Sequence, residues 1–222
     1  MGQWRTTGVN EHPVGRSLRD AAAGRFPPVD GRWEEVPPWR PGIEAVVAFT
    51  GHAVLAVAAD HGIDLAALGV DGLGGAHHPR VALALAGAAG WIDSLDAVLV
   101  AYGIGSAGAQ PALVERPDLA AHHRVEFAAA VRDDVQVLGR RSGSALVTLG
   151  RGIGGLAELG VELGPDDGPG SGAELITAAL TEVPRGDVAV AAVAPGNARA
   201  LRAFLGGGFR PVASVQLIRP AR

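Results

Sequence analysis

Residues 157–183 read AELGVELGPDDGPGSGAELITAALTEV, the pattern of a strand, a glycine-rich turn and a helix. Small and branched apolar side chains alternate along Ala157–Leu163, as on one face of a half-buried strand. A glycine-rich turn follows, and an apolar stripe then predicts a helix from Ala173 to about Val183. Such a turn exposes backbone N–H groups at the positive end of the helix dipole, where phosphate groups bind well. The pattern equally fits a tight connection without a ligand.

The residues after this stretch repeat the alternation of strand and helix. The continuous apolar run Val188–Val193 predicts a strand that is covered on both faces. Pro195-Gly-Asn197 opens a second helix, and Gly206-Gly-Gly208 ends it. Phe209–Ile218 then predicts a final strand. This order of strands and helices predicts a mixed α/β fold for the C-terminal part of the chain.

Earlier segments predict shorter elements and a division into three regions. The expected helices are Ser17–Ala23, Arg80–Ala86 and His122–Val131, and the expected strands are Ala45–Phe49, Ala53–Ala58, Asp96–Ala101, Val135–Leu138 and Ala145–Leu149. We expect an N-terminal arm over residues 1–40, where two proline pairs block regular structure. An N-terminal α/β region over 41–118 and a C-terminal domain over 119–222 would follow, with Gly103–Pro111 as the best internal break.

Composition excludes several classes of protein. The chain has 222 residues, of which 48% are hydrophobic and 19% charged, and this balance is globular. The absence of cysteine excludes disulfides, thiolate metal ligands and cysteine nucleophiles. All 19 basic residues are arginine, and they form no basic block, so we expect no nucleic-acid partner. We find no signal peptide and no apolar run long enough to cross a membrane, and expect a cytoplasmic bacterial protein.

Three motifs over residues 144–222 resemble the C-terminal half of the GNAT superfamily of N-acetyltransferases. Leu163-Gly-Pro165 resembles the family's V-x-P step, and Asp167-Gly-Pro-Gly-Ser-Gly172 resembles its (Arg/Gln)-x-x-Gly-x-(Gly/Ala) pyrophosphate loop. Asn197-Ala-Arg-Ala-Leu-Arg-Ala-Phe-Leu-Gly-Gly-Gly-Phe209 resembles the signature N-x-x-A-x-x-x-Y-x-x-x-G-F. The resemblance implies a GNAT-like central mixed β-sheet flanked by helices, with an N-terminal α/β extension that could itself be a degenerate GNAT half.

The same resemblance implies an activity and a binding site. The protein would move an acetyl group from acetyl-CoA, its cosubstrate, to an amine of a small molecule or peptide, without a metal. The backbone N–H groups that would hold the pyrophosphate belong to Gly168, Gly170, Ser171, Gly172 and Ala173. The pantetheine arm would run between the splayed strands near Val161 and Val193, beside Leu163 at the end of the coenzyme-binding strand, and Asn197 would contact the cofactor.

Glu158 and Glu162 are the candidate catalytic bases, since the attacking amine must lose a proton. They share one face of the predicted strand but lie about 13 Å apart at a rise near 3.3 Å per residue, so they cannot form a close pair. Glu158 is nearer to the position of the family's usual base. The alternative is that both are ordinary glutamates of a polar strand face.

Two residues depart from the family's pattern. Asp167, beside Asp166, stands where the family has Arg or Gln, and a carboxylate there repels a diphosphate by about 1 kcal/mol or more. Phe204 stands where the family has the Tyr that protonates the leaving thiolate, and a phenyl ring has no proton to give. Arg199 and Arg202 share a helix face and would partly offset the acidic loop. The alternative function is therefore a catalytically inactive GNAT-fold protein that binds a ligand or partner.

Other motifs predict no site of their own. Gly103-Ile-Gly-Ser-Ala-Gly108 spells GxGxxG, but Pro111 obstructs the helix that a dinucleotide site requires. The histidine pairs at 77–78 and 122–123 lack the spacing of metal ligands and are expected to be loop or capping residues. No GxSxG motif supports a hydrolase. The sequence leaves a homodimer open.

Overall fold

The computed structural model describes residues 11–106, 112–165 and 167–221, and its contacts divide the chain into two compact units. The N-terminal unit contains His12–Val98 together with the last strand of the chain, and the C-terminal unit contains Leu99–Pro211. Within the arm predicted over residues 1–40, the described residues include a helix and a strand of the N-terminal unit.

The N-terminal unit is a mixed sheet with two helices among its described residues. Its elements are α1 Pro13–Ala22, β1 Trp33–Val36, β2 Glu44–Phe49, β3 His52–Ala56, a 3-10 turn Gly75–His77, α2 Pro79–Ala86, the start of β4 Trp91–Tyr102 and most of β10 Arg210–Arg219. The strand order is β1-β3-β2-β10-β4, with β1 parallel to β3 and β2 antiparallel to both β3 and β10. The chain reverses between β2 and β3 at Gly51, whose φ of +73° favours glycine.

The C-terminal unit contains the strand, glycine-rich turn and helix of residues 157–183. Its elements are the end of β4, β5 Val114–Glu115, a 3-10 turn Pro117–Leu119, α3 His123–Val131, β6 Asp133–Gly139, β7 Leu146–Arg151, a 3-10 turn Ile153–Gly155, β8 Ala157–Glu162, α4 Ser171–Leu180, β9 Val188–Val193, α5 Ala198–Gly206 and the start of β10. The strand order is β4-β9-β8-β7-β6-β5. Strand β6 is antiparallel to both β5 and β7, and β7 is antiparallel to β8. On its other side, β8 is parallel to β9.

The apolar patterns explain these elements. The side chains predicted to form the stripe of α4 are buried: Leu175, Ile176, Ala179, Leu180 and, just past the helix, Val183. Helices α4 and α5 pack closely at Gly172, as shown by the distance of only 2.9 Å that a Cβ added there would have from the Cβ of Ala203. The predicted order of strands and helices from β6 to β10 is confirmed, with ends shifted by a few residues.

The predictions missed two short strands, β1 and β5. Strand β1 has four residues between two proline pairs, and β5 has two, so neither shows a periodic pattern. In the part of the chain that the structure describes, no helix has the length and apolar character of a membrane span.

Candidate functional site

Strands β8 and β9 separate along most of their length. Strand β8 pairs with β7 from Ala157 to Glu162, but its pairing with β9 is confined to Ala157↔Ala189 and Glu158↔Val190. We call the gap between residues 159–162 of β8 and 191–193 of β9 the wedge. Backbone N–H and C=O groups require hydrogen-bond partners, so the edge of β8 in the wedge can pair with an extended ligand.

The residues predicted to line the pantetheine arm lie at the wedge or beside it. Val161 is half-buried on β8, and Val193 is buried at the end of β9. Leu163 directly follows β8, half-buried and close to the start of α4. Their placement agrees with the predicted path of the arm, and their contact with a ligand stays a prediction.

The glycine-rich turn leads from β8 into α4. Gly170 is the N-cap, with a φ of +90° that favours glycine, and no side chain caps the helix. The N–H groups of Ser171 and Ala173 donate to the carbonyl oxygens of Gly168 and Gly170, at 3.3 and 3.1 Å. These two amides, predicted to hold a pyrophosphate, therefore already have acceptors within the turn. Gly172 lacks a side chain because α5 packs against it.

The carboxylate of Asp167 points back into the turn. Its Oδ2 accepts the N–H of Gly164 at 2.7 Å, and its Oδ1 lies 3.7 Å from Nη1 of Arg140. Asp166, the other half of the acidic pair, lies outside the described residues. The repulsion that the sequence predicts for Asp167 is therefore reduced by a neighbouring cation.

Glu158 is buried and fully engaged. Its side chain is 4% exposed, its Oε1 lies 2.7 Å from Nη2 of Arg132, and its Oε2 accepts the N–H of Ile153 at 3.0 Å. Arg132 is equally buried and also donates to Oγ1 of Thr148 at 3.1 Å. A base must reach the proton that it removes, and this carboxylate is committed to an internal ion pair. The geometry therefore favours a structural role over the predicted catalytic one.

Glu162 has the opposite environment, partly exposed and surrounded by basic side chains. Nε of Arg124 lies 2.6 Å from its Oε2, and the Nε2 atoms of His122 and His123 lie 3.6 Å from its two oxygens. Partial burial acts to raise the pKa of Glu162, but the hydrogen bond and charge of Arg124, with the two histidines, hold it below its ordinary value. Glu162 is thus an anion that basic groups hold in place.

His122, His123 and Glu162 are the one group of described residues whose potential metal-ligand atoms lie within 4.8 Å of one another. Nδ1 of His122 accepts the backbone N–H of Arg124 at 3.2 Å and caps α3, which leaves Nε2 facing Oε1 of Glu162 at 3.6 Å. His78 caps α2 in the same way, so the capping role predicted for these histidines is confirmed for His78 and His122.

Two residues of the predicted signature have internal partners. Phe204 is buried, and its ring lies 5.0 Å from that of Phe209 in an edge-to-face contact. Asn197 caps α5, since its Oδ1 accepts the N–H of Ala200 at 3.0 Å. The signature therefore has a structural explanation in the packing and capping of α5, and the cofactor contact of Asn197 stays a prediction.

Sequence reasoning missed the arginines that organise the site. Arg124, Arg132 and Arg140 belong to α3 or to the loops beside it and β6, and each pairs with a carboxylate far away in sequence. Of the three, only Arg132 has a sequence feature that indicates burial, because it directly follows the apolar residues Phe127–Val131 at the end of α3. The last two residues of the GxGxxG motif, 107 and 108, lie outside the described part of the chain.

The N-terminal unit holds a separate cavity of about 450 Å³, lined by Glu44, Asp60 and His61 among others.

No protein-family model and no curated protein matches the chain. Three solved structures that are similar to it are described as GNAT-family or GCN5-related acetyltransferases. The one from Novosphingobium aromaticivorans is 21% identical, with a TM-score of 0.39 over 62% of this chain and 70% of that chain. For Colwellia psychrerythraea these values are 12%, 0.36, 59% and 57%, and for Kribbella flavida 18%, 0.35, 65% and 65%.

The chain thus spans less than two thirds of the second and third of these proteins. We take the fold class from the strand pairing itself, which confirms the predicted mixed α/β fold with a mixed sheet flanked by helices.

Proposed function

We propose that the C-terminal unit binds acetyl-CoA in the wedge and transfers its acetyl group to an amine of a small molecule or peptide. The observation that carries this proposal is the end of the β8–β9 pairing at Glu158↔Val190. Beyond it the edge of β8 offers backbone donors and acceptors to an extended ligand. Pantetheine is such a ligand, because its chain carries amide groups that can pair with a strand edge.

The turn after the wedge supports the placement of the phosphate end. Helix α4 begins directly after Gly170 without a capping side chain, so the positive end of its dipole faces outward. A ligand whose amide chain lies along β8 reaches this point next, since Leu163-Gly-Pro165 connects the two. The order wedge, turn, helix terminus therefore fits an amide chain that ends in phosphates.

The reaction is a direct displacement. The amine nitrogen attacks the thioester carbonyl carbon, the C–N bond forms, the C–S bond breaks, and the thiolate takes up a proton. The attacking amine loses a proton to a base or to water. Glu162 is the accessible carboxylate of the two candidates, and His123, whose side chain is 72% exposed, lies beside it. We assign the binding of the cationic amine to Glu162, with proton removal by Glu162 or through His123.

The test is calorimetry or a thermal shift with acetyl-CoA. At a ligand concentration one hundred times Kd, the free energy of unfolding should rise by about 2.7 kcal/mol. An unchanged melting temperature at millimolar acetyl-CoA would contradict the proposal. Release of the CoA thiol in the presence of a panel of primary amines then measures turnover.

A second candidate function is binding without turnover. The internal pairing of Glu158 and the burial of Phe204 favour it, because the two family positions that handle protons are both occupied by structural contacts. Acetyl-CoA binding with no thiol release for any amine of the panel would support this function. Release above the rate of the isolated reagents would exclude it.

A further inference from the structure

We propose that Arg140, in the connection between β6 and β7, is the cation that receives the diphosphate of CoA at the start of α4. This inference rests on the proposed function and names a binding group for it. The family's motif places an Arg or Gln within the turn itself, and here that position is Asp167. The structure brings a guanidinium to the same turn from a different element.

The position of Arg140 is the first step. Its Nη1 lies 3.7 Å from Oδ1 of Asp167, in the turn, and its Nη2 lies 3.1 Å from Oε2 of Glu174, in the first turn of α4. The guanidinium therefore lies between the glycine-rich turn and the helix. A planar guanidinium suits this place, because it can bind two phosphate oxygens at once.

The backbone that carries Arg140 is held by another arginine. Nη1 of Arg116 donates to the carbonyl oxygens of Arg140 and Gly143, at 2.9 and 3.0 Å. Arg116 is itself largely buried and paired with Asp118 at 2.8 Å. The connection between β6 and β7 is therefore held at two points, and one of them is the backbone of Arg140 itself, so the side chain starts from a fixed position before a ligand arrives.

The present partners of Arg140 can be exchanged. The side chain of Glu174 is 73% exposed, and an exposed ion pair contributes little to stability. Asp167 keeps its hydrogen bond with the N–H of Gly164 whether or not Arg140 stays close. A phosphate can thus replace Glu174 as the partner of Arg140 without leaving a buried charge unpaired.

The charges at the turn favour a phosphate-binding role for Arg140. Without it, the charged side chains described at the turn and the first turn of α4 are Asp167 and Glu174, both acidic. A diphosphate would then meet the helix dipole and two carboxylates. With Arg140 turned from Glu174 to the ligand, the diphosphate gains a charge-assisted hydrogen bond at the helix terminus.

The alternative is that Arg140 and Glu174 form an ordinary surface ion pair that only joins the β6–β7 connection to α4. The effect of Glu174→Gln on the affinity for CoA distinguishes the two roles of Arg140. Removing the Glu174 carboxylate should tighten CoA binding in either case, because it takes a negative charge away from the diphosphate. If Arg140 binds phosphate, Glu174→Gln also frees the guanidinium, so the gain in CoA affinity should be larger when Arg140 is present than in the Arg140→Gln background. If the pair is only structural, the gain should be the same in both backgrounds.

Isothermal titration calorimetry with CoA, dephospho-CoA and pantetheine tests the proposal. Arg140→Gln should weaken CoA and dephospho-CoA by about tenfold, the loss of one charge-assisted hydrogen bond. It should leave pantetheine, which has no diphosphate, unchanged. Arg141→Gln, in the neighbouring exposed residue of the same connection, is the matched control and should bind as the wild type does.

The outcomes distinguish this proposal from the proposed function. Wild-type binding of CoA with equal affinity in the Arg140→Gln variant overturns the role of Arg140 and leaves the function standing. Weakening of pantetheine together with CoA also overturns it, because the effect would not depend on the diphosphate. Absence of CoA binding in the wild type overturns both. Melting temperatures of the variants confirm that each is folded.

Discussion

At the scale of single residues, Glu158 and Glu162 show how one strand face holds two carboxylates with different roles. Glu158 meets Arg132 in the interior, and Glu162 meets Arg124 and two histidines near the surface. Their shared face was predictable from the alternation of side chains along β8. Their partners were not, because each arginine comes from a part of the chain that only the folded sheet brings close.

Glu158→Gln should lower the free energy of unfolding by about 3 to 5 kcal/mol, because it leaves the buried charge of Arg132 without its partner. Urea unfolding at pH 7 measures the change. Glu162→Gln is the control on the same face, and its partly exposed pair should cost about 1 kcal/mol or less. Equal stabilities of the two variants would argue against a structural role for Glu158.

His77 gives a prediction for pH. Burial lowers its pKa from the ordinary value of 6.5, so the unfolded chain takes up the proton first as the pH falls. The stability that neutral His77 allows is complete above pH 6.5 and decreases as the pH falls below it toward the lowered pKa.

His77→Gln should therefore reduce the loss of stability on acidification below that pH, although the hydrogen bond between Nε2 of His77 and Ser214 is lost. Thermal unfolding across a pH series measures the slope. A wild-type slope in His77→Gln would contradict the account.

At the scale of elements, the contact between α4 and α5 sets the position of the glycine-rich turn. Gly172→Ala would place a Cβ 2.9 Å from that of Ala203, so the helices must move apart. We expect a loss of about 1 to 3 kcal/mol in the free energy of unfolding, the usual cost of overpacking.

Gly168→Ala is the matched control in the same turn, because nothing lies within 4 Å of its added Cβ. Its stability should equal that of the wild type within about 0.5 kcal/mol. Equal losses in the two variants would show that the turn, and not the helix contact, limits stability.

The elements themselves were largely predictable where the pattern is local. The apolar run Val188–Val193 and the stripe of α4 are legible in sequence because period and length identify them. The short pairing of β8 with β9 was implied by the family resemblance, which places splayed strands here, and not by the local pattern, since pairing depends on how two distant segments meet. The same holds for Arg140, whose importance appears only when the β6–β7 connection reaches α4.

At the scale of the whole molecule, the chain divides into two compact units. The division falls between Val98 and Leu99, inside β4, within the apolar run Ala97–Ala101, where the sequence gives no sign of a boundary. The residues from Val212 onward belong to the N-terminal unit, and local composition does not predict this because it depends on contacts between segments far apart in the sequence. The predicted regions 1–40, 41–118 and 119–222 stay a prediction.

A titration with acetyl-CoA followed by amide NMR shows whether the wedge between β8 and β9 binds this ligand. We expect saturable changes at the amides of residues 159–164 and 168–173, with strands β1 to β3 unaffected. Changes confined to other residues, or no saturable change at millimolar acetyl-CoA, would contradict it.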